Sequence, residues 1–244
     1  MPMPRFFVDL PLAANSRITL PEAAAHHAVR VLRLRHGESL SLFNGHGGEY
    51  PGVLHVEGRA AAVELGAFDP REAELAGAIT LVQGLPAGDK MDWIVEKAVE
   101  LGVSAIVPVA ARRSVLQLSG ARQDKRVAHW RRIAVSASEQ CGRNRLLRVA
   151  EPVTLEQWLT QPAAGLRVLC HPEDGQPYAD ALHAADGLRA LELLVGPEGG
   201  WDDQELAAAR RAGARAVTFG PRVLRTETAG LALTAAAAAV LDWI

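Results

Sequence analysis

Short apolar runs separated by turn residues fill the first quarter of the chain. Residues 18–20, 39–43, 52–56 and 61–65 read as strands. Pro21, Asn44-Gly45, Gly47-Gly48, Pro51-Gly52 and Gly58 read as the turns between them. One helical pattern, about residues 22–31, interrupts the series. The pattern predicts a small β-barrel. The polar break Asp69-Pro70-Arg71-Glu72 ends it as a linker.

From residue 78 the periodicity changes. Strands of the buried type are expected at 78–83, 103–109, 167–170, 191–195 and 215–219, and helices at 91–101, 124–140, 202–212 and 228–243. Met91, Ile94, Val95 and Ala98 share one face of the first helix, and Gly102 stops it. Val127, Trp130, Ala134 and Ala137 line the inner side of the second. Asp202 and Glu205 are spaced as a capping box. Alternation of this kind implies an α/β fold with a largely parallel sheet covered by helices. Two domains follow, 1–70 and 71–244.

Composition narrows the class without changing this picture. A chain of 244 residues, 49% apolar and 22% charged, is an ordinary globular protein. The first twenty residues lack the basic start and apolar run of a signal peptide, and the alanine-rich stretch 229–244 is too short to span a bilayer. Cys141 and Cys170 lie far apart and have no metal-ligand spacing. A reducing cytoplasm is therefore expected, with neither a membrane nor a metal as partner. The net charge of −2 hides an asymmetry. Between residues 112 and 148 stand ten Lys or Arg against two acids, Asp124 and Glu139, a surplus of eight. Such a block is either a footprint for a polyanion or a solvated arginine-rich helix.

Four segments can carry chemistry. Leu194-Val195-Gly196-Pro197-Glu198-Gly199-Gly200-Trp201 joins a strand to a helix, and its glycines allow close approach of a ligand or simply a tight turn. It lacks the GxGxxG pattern and the P-loop lysine, which argues against dinucleotides and nucleoside triphosphates. Phe219-Gly220-Pro221-Arg222-Val223-Leu224-Arg225-Thr226-Glu227-Thr228-Ala229 also joins a strand to a helix. It reads as a loop folded over a ligand, as a helix start with Thr226 as cap and Glu227 in the first turn, or as both. Ser138-Glu139-Gln140-Cys141-Gly142-Arg143-Asn144-Arg145 can bind phosphate and read a base edge, while Gly142 suits a helix C-cap. Arg30, Arg33 and Arg35 form a small basic group beside His26 and His27, and no third ligand stands near the histidines to suggest a metal.

Taken together, these segments resemble the RsmE family of the SPOUT methyltransferase superfamily. The resemblance runs through His27, Val31-Leu32-Arg33, Phe43-Asn44-Gly45, Gly48-Glu49-Tyr50 and Lys90-Met91-Asp92-Trp93. It continues through residues 96–103, Arg113-Ser114-Val115, Glu139-Gln140 with Arg143, residues 194–200 and residues 222–229. Trp201 stands where the family often has Phe or Leu. The resemblance implies a PUA-like β-barrel that helps bind RNA, followed by a Rossmann-like sheet with a C-terminal trefoil knot. It implies a homodimer that methylates N3 of one uridine of 16S ribosomal RNA on the assembled 30S subunit, using S-adenosylmethionine. The cofactor residues it implies are His171, Leu194, Val195, Gly196, Pro197, Glu198, Gly199, Gly200, Phe219, Gly220, Val223, Leu224, Arg225, Thr228 and Ala229. On this reading Arg143 and Arg225 stabilise negative charge on the base, and Glu139 or Glu227 accepts the N3 proton. Arg30, Arg33, Arg113, Gln140, Arg143 and Arg145 contact RNA. The competing readings are a SPOUT enzyme acting on another RNA and a non-catalytic RNA-binding assembly factor.

Overall fold

The structure, a computed structural model, describes residues 3–58, 60–185 and 187–244. The chain forms two compact units. The first comprises the described residues up to Glu74 together with Val135–Leu146, and the second comprises Leu75–Ala134 with Leu147–Ile244.

The first unit is one five-stranded sheet in the order β1-β3-β4-β5-β2. Its strands are β1 (Arg5–Phe7), β2 (Arg17–Thr19), β3 (Ser39–Phe43), β4 (Tyr50–Glu57) and β5 (Ala60–Leu65). Strand β1 was not read in the sequence. It lies parallel to β3, while the other pairs are antiparallel. Phe6, Leu40, Leu42, Leu54 and Val63 bury the inner face. Helix α1 (Glu22–His26) runs on into a π-helical turn, His27–Val31, and Arg33 follows with φ +59°.

The segment 135–146 completes this unit around Arg5. The Arg5 guanidinium donates to Glu49 Oε2 at 2.8 Å, to the carbonyls of Ser138 (3.0 Å) and Arg143 (3.2 Å), and to Asn144 Oδ1. A cation here meets the unsatisfied carbonyls at the end of helix α3 (Gly120–Cys141), where the dipole favours positive charge. Gly142, with φ +91°, ends that helix as expected.

The second unit is a seven-stranded sheet with every pairing parallel, in the order β10-β12-β9-β11-β6-β7-β8. The strands are β6 (Ala78–Gly84), β7 (Ala105–Val109), β8 (Arg148–Val149), β9 (Leu166–Cys170), β10 (Gln176–Pro177), β11 (Ala190–Val195) and β12 (Arg215–Thr218). Strands β7 and β11 are buried almost throughout, which is why they read as continuous apolar runs. Besides α3, the helices are α2 (Lys90–Glu100), α4 (Leu155–Leu159), α5 (Tyr178–His183), α6 (Asp203–Arg211) and α7 (Thr226–Val240). The elements missed in the sequence, β8, β10, α4 and α5, span two to six residues each, too few to repeat their period. Asp202 and Glu205 form the expected capping box at the start of α6.

One expectation for α7 is corrected. Its N-cap is Arg225, and Thr226 is the first helical residue. The Thr226 hydroxyl is turned inward instead of capping, for a reason given below. Helix α7 packs on α2, α5, β6 and β11. Gly230 makes this approach possible, since a Cβ there would stand 2.7 Å from Leu81 Cδ1.

Candidate functional site

Strands β9, β11 and β12 are direct or near neighbours in the sheet, so their carboxyl ends open on the same side. Strand β11 ends at Val195 because Gly196-Pro197 cannot extend the ladder; Pro197 has no N–H to give. The chain then turns tightly, with Gly200 N donating to Pro197 O at 2.9 Å and Gly200 at φ +67°. After β12 the connection from Phe219 to Arg225 rises beside this turn and descends into α7. The two connections face each other across a cleft of about 570 Å³, and Cys170, His171 and Pro172 at the end of β9 add a third wall. That volume falls in the usual range for small-molecule sites.

A buried junction holds the two connections together. The Thr226 hydroxyl donates to Gly196 O at 2.6 Å and accepts from Gln83 Nε2 at 2.9 Å. This ties α7, the first connection and the end of β6 at one point. Replacing Thr226 with Val removes the donor to Gly196 O, so a loss of about 2 kcal/mol is expected in chemical denaturation, with Thr226→Ser close to the parent. Equal stability of the Val and Ser forms would show that the junction holds nothing.

At the cleft rim, Lys90 Nζ lies 2.8 Å from Glu198 Oε1 and 3.2 Å from Glu227 Oε2. Glu198 also accepts from Ala87 N at 3.1 Å. Burial pushes the Glu198 carboxyl up, but the Lys90 contact and the amides of Glu198 and Ala87 outweigh it and hold the group below its ordinary value. The same contacts, Glu198 first and Glu227 second, hold the Lys90 ammonium above its ordinary value.

Most of the residues expected to hold a cofactor line this cleft: His171, Val195, Gly196, Pro197, Glu198, Gly199, Gly200, Phe219, Val223, Leu224, Arg225 and Ala229. Three do not. Leu194 is buried in the core beneath, Gly220 turns toward a smaller cavity beside Tyr178, and Thr228 points to solvent. Glu227 lines the cleft. So does Arg113, expected on RNA grounds, which donates to Gly199 O at 3.2 Å. Lys90 and Trp201 were missed as site residues. Lys90 reaches the cleft from a separate helix, and no spacing in the sequence links it to residues 198 and 227.

The remaining candidates belong to the first unit. Arg30, Arg33, Gln140 and Arg145 are exposed there. Arg143 and Glu139 have partners within the unit. Arg143 is 3% exposed, and its guanidinium donates to both Glu74 oxygens, at 3.0 Å from Nε and 2.6 Å from Nη2. Glu139 accepts from Phe7 N at 2.9 Å, and burial raises its carboxyl above the ordinary value. Residue type and spacing could not reveal that these two groups already have partners inside the fold.

Two observations bear on the ligand the cleft would take. Gly196 and Gly199 form a cradle: a Cβ would stand 3.2 Å from Gly200 at the first and 3.0 Å from Arg113 Cβ at the second. Trp201 carries a buried indole N–H with no hydrogen-bond partner. Bare backbone, an unused donor and the apolar Val195, Phe219 and Leu224 suit a flat, partly polar nucleoside. Among the described residues no helix is long and apolar enough to cross a membrane, and no cluster of His, Cys, Asp or Glu is arranged to hold a metal ion.

Comparison with known proteins agrees with this reading. A family model for an RNA methyltransferase domain matches residues 73–238, and one for an RNA methyltransferase PUA domain matches residues 20–64. Ribosomal RNA small subunit methyltransferase E of Mycobacterium tuberculosis is 35% identical over 92% of this chain and 87% of its own length. The crystal structure of the Neisseria gonorrhoeae enzyme of that name, bound to S-adenosyl methionine, is 38% identical with a TM-score of 0.88, covering 96% of both chains. A Legionella pneumophila structure in complex with bound SAM is 29% identical with a TM-score of 0.91, covering 98% of both.

Proposed function

The chain belongs to the ribosomal RNA small subunit methyltransferase E family, and on that premise we propose that it moves a methyl group from S-adenosylmethionine to N3 of one uridine in 16S ribosomal RNA. The observation that carries this reading is the meeting of residues 195–201 and 219–229 in one cleft at the carboxyl ends of the parallel strands.

S-adenosylmethionine, when bound, supplies a methyl group already activated on a cationic sulfur, so no metal is required. Val195, Phe219, Val223 and Leu224 would face its apolar parts, and the backbone of residues 196–200 its polar edges. The N3 position of uridine carries a proton and is a poor nucleophile until that proton leaves. The protein's task is to hold the base in line and favour its anion. Arg225 supplies positive charge for the base carbonyls, and Glu227 is the proton acceptor. Arg143 and Glu139 take no part in this assignment, because their partners are Glu74 and Phe7.

We assign residues 1–70 to RNA binding, with Arg30, Arg33, Gln140 and Arg145 as exposed contacts alongside Arg113 in the cleft. The substrate on this reading is the assembled 30S subunit in the cytoplasm, and the working form is a homodimer. We further read the C-terminal connections as a trefoil knot. The return of α7 across β11 and β6, after β12 has paired outside β9, supports that reading.

The test is methylation of undermodified 30S subunits in vitro, followed by nucleoside mapping. One new N3-methyluridine in 16S RNA is the expected product. A methylated ribose or another base would reassign the substrate. Absence of S-adenosylmethionine binding by calorimetry would favour a non-catalytic assembly factor. Affinity for 30S subunits is expected to fall steeply between low and moderate salt, since phosphate contacts release counterions.

A further inference from the structure

Lys90 stands where a helix least favours a cation. It is the first residue of α2, at the positive end of the dipole. It is held there by two carboxylates from two different connections, Glu198 from the first and Glu227 from the second. The two do not depend on it equally. Glu198 keeps the Ala87 amide whether or not Lys90 is present. Glu227 has a buried Oε2 with no well-aligned hydrogen bond, so the Lys90 ammonium is the cation that orients it and balances its charge.

The acids in the cleft lining are Glu198 and Glu227. Glu198 is fastened to the loop before α2 by the Ala87 amide, whereas Glu227, whose side chain is 19% exposed, keeps its Oε2 without a well-aligned hydrogen bond. We propose that Lys90 is a positioning residue for methyl transfer: it fixes Glu227 as the carboxylate that receives the substrate proton, and through Glu198 and Glu227 together it ties both connections to α2. This rests on the reading of the cleft given under Proposed function. In the step it serves, the N3–H bond of uridine breaks and its proton passes to the Glu227 carboxylate. The N3 electron pair takes the methyl carbon, and the pair of the broken carbon–sulfur bond stays on sulfur, leaving a neutral thioether. The Glu227 carboxylic acid then returns its proton to water.

The asymmetry between the two glutamates predicts a separation of turnover from binding. Lys90→Met is expected to lower kcat on 30S subunits about tenfold or more, a share of what a general base contributes. Its affinity for S-adenosylmethionine, read by calorimetry, should stay within about threefold, because the first connection keeps its Ala87 anchor; a threefold change in affinity is a small part of the binding free energy. Lys90→Arg, which preserves the charge, is expected to recover most of the turnover. In a Glu227→Gln background, Lys90→Met should remove little more, since the group it acts on is gone. An equal loss in both backgrounds, or no recovery with Arg, would make Lys90 a mere packing residue and overturn the proposal. Wild-type turnover in Glu227→Gln would also overturn it, while leaving the methyltransferase reading intact. A wild-type protein that bound S-adenosylmethionine but did not methylate 30S subunits would instead fail the reading of the substrate.

Discussion

Gly84→Ala is expected to weaken S-adenosylmethionine binding about a hundredfold while the protein stays folded. Gly84 is the last residue of β6, directly beneath the first connection. A Cβ at that position would stand 2.5 Å from Pro197 Cδ and 2.6 Å from Pro197 N. Real Cβ atoms do not approach backbone that closely, so one side has to yield. The strand is fixed by its register with β7 and β11 on either side, and the connection is the part that moves. A displacement of about 1 Å in a positioning element commonly costs about two orders of magnitude in function. Calorimetry with the cofactor and a thermal melt on the same sample check both halves. Binding within a few-fold of the parent would show that the cleft does not depend on where Pro197 sits.

Arg143→Ala is expected to destabilise the first unit by about 3 kcal/mol. The guanidinium is almost wholly buried and bonded through two nitrogens to Glu74, whose carboxylate is itself largely covered. Removing one member of such a pair leaves a buried charge without its partner, which costs more than the pair contributes when intact. Chemical denaturation measures the loss, and Glu74→Gln in the same background should recover part of it. If Arg143→Ala instead retained its stability and lost methylation, the residue would belong to the RNA chemistry that its place in the sequence suggested.

The contrast between these two residues shows what a single sequence reveals. The glycine-rich connection after Val195 and the arginine-bearing one after Phe219 were legible because each follows an apolar run and precedes a helical period. Open parallel sheets place ligands at just such junctions. The cofactor residues read from those two segments line the cleft, except Leu194, Gly220 and Thr228. The inward turn of Thr226 was not legible. Its position suits a cap, but a cap and an inward hydrogen bond have the same local pattern, and only the place of Gly196 and Gln83 in space decides between them. The partners of Arg143 and Glu139 were illegible for a similar reason. A basic, amide-rich helix end looks the same whether its groups face RNA or Glu74 and Phe7. Lys90 entered only as part of the Lys90-Met91-Asp92-Trp93 segment and not as a site residue, because its partners lie more than a hundred positions away. Strand β1 was not read, although its Phe6 belongs to the core, because its partner β3 lies more than thirty positions away.

Arg5 has a consequence for how the chain matures during synthesis. Its acceptors at Ser138, Arg143 and Asn144 are translated more than 130 residues after it. A nascent chain halted in between has at most the Glu49 bond to the Arg5 guanidinium and a β1 edge without the Glu139 carboxylate. The amino-terminal sheet therefore reaches its final state only after most of the polypeptide has left the exit tunnel. Proteolytic protection of Phe7 during translation should appear late, together with that of residue 139, rather than with the strands that flank it.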